Sequence, residues 1–526
     1  MARFVNPSNL EFCRALNSSI YVDKSDMVAL LNGFYDTENR FLCLSRPRRF
    51  GKTMMTNLMV AYYSKGCDSR ELFQNLKLGS CPHWDKHLNS ANVIFIDLNE
   101  VYSAATDRTK VLSLLSNDII SELRAEFPQV DLQHCVSIPD AIAKIYTQTS
   151  ETFVVIIDEY DVLIRETNVS NQLRNEYIFL LNALFKGSSA RRAISLAYLT
   201  GILPIIKDRV ESKLNNFSEY TMLAPKKFAP YFGFTEQETK DLCLANQMDY
   251  ARCQHMYDGY AFDNVGHVFN PNSVVRSIFN HDYNSYWTTT SAFDSITFYI
   301  DANIFGIQDD IANMLKGREV EVNVRSYTNT IERFTSKDHA FTYLTHLGYL
   351  AYNEDTRTCR IPNGEIRAAW FDIMEESNDF TLVKQIIQTS RNLIKATERA
   401  DADAVAQALN LSHAQISSPL TYNREATMQS AILMAYFYAR KDYYIFAELP
   451  TGKGFADVVL VPTQYVRPAI IIELKKDASP EQALDQIKQR DYSQALARGR
   501  NKGLVLVGVS YNSQTKQHQC AIEVQE

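Results

Sequence analysis

The chain has 526 residues, 46% hydrophobic and 22% charged, which suits about three folded domains and excludes a disordered protein. A net charge of −7 and a pI near 5.9 exclude a basic coat for bulk nucleic-acid binding, and no apolar run approaches the ~20 residues of a membrane span. Nine cysteines without Cys-x-x-Cys spacing and ten histidines in no metal-ligand pattern speak against a zinc-type site. The stretch Met1 to Ser19 has neither the basic start nor the apolar core of a signal peptide, so a reducing, cytoplasmic setting is expected.

In chain order, Tyr21-Val22-Asp23-Lys24 precedes a helical pattern from Met27 to Leu31. An apolar strand from Phe41 then runs into Ser45-Arg46-Pro47-Arg48-Arg49-Phe50-Gly51-Lys52-Thr53, and a helix-compatible run from Met54 to Tyr63 follows. Strand, loop ending Gly-Lys-Thr and helix, in that order, predict the phosphate-binding loop of a P-loop NTPase. Backbone N–H groups and a helix N-terminus converge there on the phosphates. Gly51 allows close backbone approach, Lys52 adds a point charge, and the Thr53 hydroxyl is a Mg²⁺ ligand. Arg46 stands where the general pattern has glycine, so the turn must be reached by another route, for which the fixed φ of Pro47 is one candidate.

Gly-Lys-Thr recurs by chance, and a second motif carries the decision. After a strand from Val93 to Leu98 and a helix from Val111 to Phe127, Phe153 to Ile157 forms a continuous apolar run that ends in Asp158-Glu159-Tyr160-Asp161. That is a strand buried on both faces with carboxylates at its end. Asp158 is expected in the Mg²⁺ shell, and Glu159 is placed to orient the attacking water. A strand from Ala193 to Leu199 closes on Thr200-Gly201, either a γ-phosphate sensor or simply a turn. Lys207 or Arg209 beyond it could reach nucleotide across an interface.

From Pro225 the strand–helix alternation stops. Thr235 and Glu238 have capping-box spacing. Asp258-Gly259-Tyr260 and Asn270-Pro271-Asn272-Ser273 mark turns, and a helix from Phe341 leads into a short hairpin over Ala351 to Arg360. This mixture suits a helical lid or a winged-helix-like module. Asp379 to Leu411 reads as a helical connector. A helix from Arg424 to Arg440 follows, capped by Asn423, then strands Tyr443 to Leu449, Asp457 to Val461 and Ala469 to Lys475. A helix starting at Ser479-Pro480 and two last strands, Leu504 to Val509 and Ala521 to Val524, complete the chain.

In the strand over Ala469 to Lys475, Glu473 and Lys475 share a face, and hairpin pairing would bring Asp457 to it. Two carboxylates and a lysine are what metal-dependent phosphodiester cleavage requires: Asp457 and Glu473 fix Mg²⁺, and Lys475 steadies the nucleophile or the developing charge. Glu425 is a further candidate acid. Gln482, Gln486 and Gln489 could orient substrate or water, and a solvated helix face explains them equally well. Nine Lys/Arg against six Asp/Glu between Lys453 and Lys502 add weak support for a nucleic-acid substrate.

At this point the chain resembles a bacterial family that joins an AAA-ATPase-like domain to a C-terminal PD-(D/E)XK nuclease-like domain. The resemblance is carried by Ser45 to Thr53, Ile157 to Asp161, Leu199-Thr200-Gly201-Ile202 with Asn215-Asn216, Tyr231 to Thr235, Tyr257 to Tyr260, and Gly454-Phe455-Ala456-Asp457 with Glu473-Leu474-Lys475. The Arg-Pro-Arg-Arg-Phe-Gly-Lys form is typical of that family, so Arg46 does not break the loop. The resemblance implies an α/β protein: a P-loop NTPase parallel sheet with helices on both faces, related to signal-transducing ATPases, and a restriction-endonuclease-like α/β domain with Asp457, Glu473 and Lys475 in the active-site positions.

The expected division is 1–224 for the AAA-ATPase-like domain, 225–370 for the lid or winged-helix-like region, 371–420 for the connector and 421–526 for the nuclease-like domain. Arg48, Arg49, Phe50, Gly51, Lys52, Thr53 and Asp158 are the expected ATP-binding residues. Thr53, Asp158, Asp457 and Glu473 are the expected metal ligands, and Glu159, Asp457, Glu473 and Lys475 the catalytic groups. The expected activity is that of an ATP-binding and hydrolysing regulator fused to a Mg²⁺-dependent nuclease acting on DNA more than RNA, without a membrane partner and with room for a homo-oligomer. The alternative is a nucleotide-switched interaction protein whose tail binds nucleic acid or a partner without cutting.

Overall fold

The computed structural model describes the chain except residues 1, 167, 206–213, 263–264, 288–292, 294–295, 298, 301–302, 328–333, 377–380, 417–424, 452–453, 464–465, 490–502 and 526. Five parallel strands form the N-terminal sheet: β1 (Phe41–Ser45), β2 (Asn92–Asp97), β3 (Phe153–Asp158), β4 (Ile194–Gly201) and β5 (Ser218–Tyr220), in the order β2-β3-β4-β1-β5. Their apolar runs are continuous because both faces are covered. Cys43, Ile96, Val155 and Leu199 pack under helices Val111–Glu126, Ile138–Thr149 and Asn171–Phe185. The alternate residues Leu44, Val93, Ile156 and Tyr198 pack against helix Lys52–Tyr63. Asp97 and Asp158 are register partners, so the carboxyl ends of β2 and β3 open beside the loop that follows β1.

The middle region holds two small antiparallel sheets. The first comprises β6 (Phe234–Thr235), β7 (Tyr260–Phe262) and β8 (Gly266–Phe269), ordered β6-β8-β7, with helices Glu236–Ala245 and Tyr250–Tyr257. The capping box is present: Glu238 N–H donates to Thr235 Oγ1 (3.4 Å) and Thr235 N–H to Glu238 Oε2 (2.8 Å). The second sheet is winged-helix-like. Helix Ile307–Leu315, β9 (Val320–Glu321), helix Lys337–Leu347 and the hairpin β10 (Ala351–Asn353) to β11 (Thr358–Arg360) follow in turn, with strand order β10-β11-β9.

The C-terminal sheet is mixed: β12 (Tyr443–Thr451), β13 (Gly454–Pro462), β14 (Ala469–Lys476), β15 (Leu504–Asn512) and β16 (Gln517–Gln525) lie in sequence order, with only β14 and β15 parallel. Helix Pro480–Gln489 covers one face through Leu484 and Ile487 on Val459, Ile471 and Leu506. Helices Thr381–Glu398, Ala402–Ile416 and Glu425–Ala435 cover the other, where Leu393, Val405 and Ile432 share a core with Ile470, Ile472 and Val507. The helices read as a connector are therefore packed into the core of the C-terminal sheet, which continues through Phe371 and Trp370 to Phe341 of the winged-helix-like module. Among the described residues no helix is long and apolar enough to cross a membrane.

Candidate functional site

β1 ends at Ser45, and the next residue turns inward. Arg46 is fully buried, and its Nη1 donates to the carbonyls of Ser45 (2.7 Å) and Tyr220 (3.0 Å) while its guanidinium lies over the Phe232 ring. It thus knits the loop to β5. The left-handed turns fall further on, at Arg49 (φ 67°) and Gly51 (φ 90°), with helix Lys52–Tyr63 starting directly after. Loop curvature accordingly rests on Arg49 and Gly51, the latter a conformation glycine adopts without penalty.

Asp158, at the carboxyl end of β3, is fully buried; the Thr53 hydroxyl hydrogen-bonds to it and Thr56 Oγ1 lies 3.4 Å away. Burial first, then the neighbouring charge of Glu159, pushes its carboxyl up to about 7. Lys52 is buried, with Nζ donating to the carbonyls of Arg46 (3.2 Å) and Pro47 (3.1 Å) and lying 3.4 Å from Glu159 Oε1. Glu159 has φ 51°, and Arg165 Nη1 donates to its Oε2 at 2.8 Å. Burial alone would raise this carboxyl, but Lys52, Arg165 and Arg48 together hold it well below the usual range. Arg165 also donates to Asp161 (2.7 Å), whose other oxygen accepts from the N–H groups of Ile202 (3.1 Å) and Leu203 (2.9 Å). One buried guanidinium therefore ties the end of β3 to the turn after β4.

Of these groups Lys52, Thr53, Glu159 and Arg165 face a cavity of about 630 Å³, lined also by the rest of Arg48 to Met55 and by Asp97, with an apolar wall from Ile20, Val22, Phe234 and Val275. The Phe50 ring is buried edge-on against Tyr260. Arg49 is exposed and donates to the Tyr286 carbonyl at 2.6 Å. Thr200 is buried within β4 rather than in a turn, its carbonyl accepting from Tyr160 N–H (3.0 Å). Lys207 and Arg209 lie outside the described residues. Asp97, Arg165 and the Ile20–Val22 wall were not singled out from the sequence. Asp97 could have been found, because β2 ends in an aspartate just as β3 does.

In the C-terminal region β13 and β14 pair antiparallel, with Val458 opposite Ile472, which sets Asp457 across from Glu473 on the face that carries helix Pro480–Gln489. Asp457 Oδ2 accepts from Leu474 N–H at 2.8 Å, while Gln429 Nε2 donates to the Asp457 carbonyl at 2.8 Å. Glu473 is 1% exposed and accepts from the side chain of Gln486. Of the three glutamines, Gln486 is thus the one joined to the carboxylates. Lys475 lies two residues along the same face and is half-buried. The Glu425 side chain and Asn423 lie outside the described residues. Among the described residues no three His, Cys, Asp or Glu side chains gather into a metal-binding cluster. Two hard carboxylates remain a fitting donor set for Mg²⁺, which is commonly held by one or two carboxylates with water and phosphate completing its shell.

Residues 12–211 match the family model described as Predicted AAA-ATPase, and residues 423–520 match that of the PD-(D/E)XK nuclease superfamily. The chain thus carries a predicted AAA-ATPase domain and, at its C-terminus, a PD-(D/E)XK nuclease superfamily domain. No curated protein matches the sequence. Among solved structures it is similar to the Aeropyrum pernix ORC2 protein in its ADPNP–ADP complexes, at 10% identity over 72% of this chain and 98% of that one. The TM-score of 0.36 is too low for that likeness to carry an argument.

Proposed function

We propose that the protein binds and hydrolyses ATP·Mg²⁺ at the N-terminal cavity and uses that cycle to regulate a Mg²⁺-dependent nuclease at the Asp457/Glu473 face, acting on DNA in preference to RNA. The observation that carries this reading is the opposition of Asp457 and Glu473 across β13 and β14, with Lys475 on the same face, in a chain whose P-loop brings Lys52, Thr53 and Asp158 together. Bound Mg²⁺ supplies a Lewis acid at phosphate oxygens and a more acidic water. Lys52 would meet the phosphate charge, Thr53 and Asp158 would hold the metal shell, and Glu159 would orient the attacking water. At the tail, Gln486 fixes Glu473 and Lys475 steadies charge on the reacting phosphate.

Helices Thr381–Glu398 and Ala402–Ile416 count with the nuclease unit, because their apolar faces complete its core. A contact chain supports regulation: Arg49 bonds the Tyr286 carbonyl, Tyr286 N–H donates to Glu365 (2.6 Å), and Glu365 opens helix Gly364–Glu376. All nine cysteines are unbridged, which supports a reducing, cytoplasmic setting.

The test is release of labelled fragments from single- and double-stranded DNA and RNA with Mg²⁺ or Mn²⁺, compared with EDTA. Asp457→Ala, Glu473→Ala and Lys475→Ala should each abolish cleavage, and Lys52→Ala should abolish ATP binding. Nucleic acid bound but never cut by the wild type would instead establish the interaction-protein reading. Cleavage rates that ignore ATP in wild type, Lys52→Ala and Glu159→Gln alike would refute regulation.

A further inference from the structure

A second cavity, of about 440 Å³, lies where helix Tyr250–Tyr257, the winged-helix-like module and the entry to the nuclease sheet meet. Neither matched family segment contains it: its walls come from residues 254 to 440, and of these only Arg440 falls within the nuclease match. Four arginines line it beside His255: Arg360, Arg367 and Arg440, whose charges act on one another or on His255, and the exposed Arg318. The acids in the wall are Asp258 and Glu319, and both are already engaged. Asp258 takes the Gly259 N–H and His267 (2.7 Å), and Glu319 takes the Thr358 hydroxyl. Among the described residues none of the four arginines is ion-paired.

The backbone is shaped to bring these cations together. Gly259 has φ 116°, and a Cβ there would sit 2.1 Å from the Pro362 carbonyl oxygen, so this approach excludes any side chain. The carbonyls it aligns hold Arg360: Nη2 donates to Gly259 O (3.0 Å) and Nη1 to Pro362 O (3.3 Å). Gly317, with φ 88°, leaves room for Arg440, whose Nη1 lies 3.1 Å from where a Cβ would be. The Nε atoms of Arg367 and Arg440 and the Nε2 of His255 are buried and have no hydrogen-bond partner among the described residues.

The electrostatic consequences agree with this geometry. Burial, then Arg440 and Arg360, pushes Arg367 down to about 10. Burial, then Arg367 and Arg440, pushes His255 down to about 4. Grouping unpaired cations away from water is costly, and it becomes favourable when an anion supplies the missing charge. Arginine forks suit phosphoryl oxygens, which they can hold bidentately.

We propose that this cavity binds a small phosphorylated ligand, its phosphoryl group held by Arg367 and Arg440 with Arg360 and Arg318 closing the mouth. Four arginines against two carboxylates leave a surplus of two positive charges, matching a phosphate monoester of charge about −1.5 to −2. The volume falls within the range of small-molecule sites, about 300–1,000 Å³. Because Arg367 and Arg440 come from different units, an occupant would clamp the winged-helix-like module to the nuclease sheet. This assignment stands whether or not the ATPase and nuclease readings hold.

The experiment uses the full chain carrying Lys52→Ala, which silences the P-loop, titrated with inorganic phosphate and pyrophosphate by calorimetry and thermal unfolding against chloride at matched ionic strength. A saturable single-site binding isotherm with a raised unfolding midpoint is expected. Arg367→Gln or Arg440→Gln should each weaken it about tenfold to a hundredfold, the loss of charge-assisted hydrogen bonds. Arg367→Lys, which keeps the charge and loses the fork, should fall between. Without phosphate, neither Gln variant should unfold earlier than its parent, because each relieves repulsion. The proposal is overturned if phosphate and pyrophosphate act no differently from chloride, if both Gln variants bind as the parent does, or if only an oligonucleotide binds.

Discussion

The two cavities treat buried arginine in opposite ways. In the P-loop cavity Arg165 is 1% exposed and lies within 2.8 Å of both Glu159 and Asp161, so its charge is compensated within the protein. In the junction cavity Arg367 and Arg440 are surrounded by other cations, and no carboxylate among the described residues pairs with them. A buried cation with partners organises the chain around itself, whereas a cluster without partners is organised for something that arrives from outside.

The largest expected effect comes from breaking the compensated pair. Arg165→Met strands Asp161 and Glu159, and should cost about 3–5 kcal/mol in urea unfolding, as for other buried pairs that lose one member. A loss below about 1 kcal/mol would show that the pair is not structural and erase the contrast. Next, Glu159→Gln should retain ATP binding while phosphate release slows by about a hundredfold or more. Equal turnover in variant and wild type would remove Glu159 from the chemistry.

A third prediction concerns Glu365, which burial pushes up to about 7 against hydrogen bonds from Ser273 and Tyr286 N–H. The folded chain holds this proton more tightly than the unfolded one. Its contribution to stability is therefore complete below the ordinary glutamate range, declines as pH rises through about 7, and is absent above. The effect should amount to about 1–3 kcal/mol, and Glu365→Gln should flatten that segment of a stability–pH curve. An unchanged curve would place the titration elsewhere. The smallest effect is expected at Arg367: in phosphate-free buffer Arg367→Gln should lie within about 0.5 kcal/mol of wild type, or above it. A large loss there would mean that Arg367 is as structural as Arg165.

Much of both proposed sites was legible from local pattern. The run from Phe153 into Asp158 and the alternation that sets Glu473 and Lys475 on one face are properties of consecutive residues, and strand geometry converts them directly into position. Arg46 was harder to read, because a missing glycine looks like a defect until the buried side chain is seen bridging Ser45 and Tyr220. Thr381–Glu398 and Ala402–Ile416 are helical as expected, but their service as a layer of the C-terminal core depends on partners such as Ile470 and Val507 far along the chain. Nothing in the sequence singled out His255, Arg318, Arg360, Arg367 and Arg440 as a group.

By itself, then, the sequence determined the strands, the helix starts and the spacing of the motif residues, because covalent geometry and side-chain periodicity act over a few residues. Only the tertiary structure decided which charges are compensated. Coulomb energy depends on separation through space and on burial, and the sequence separation of 185 between His255 and Arg440 says nothing about either.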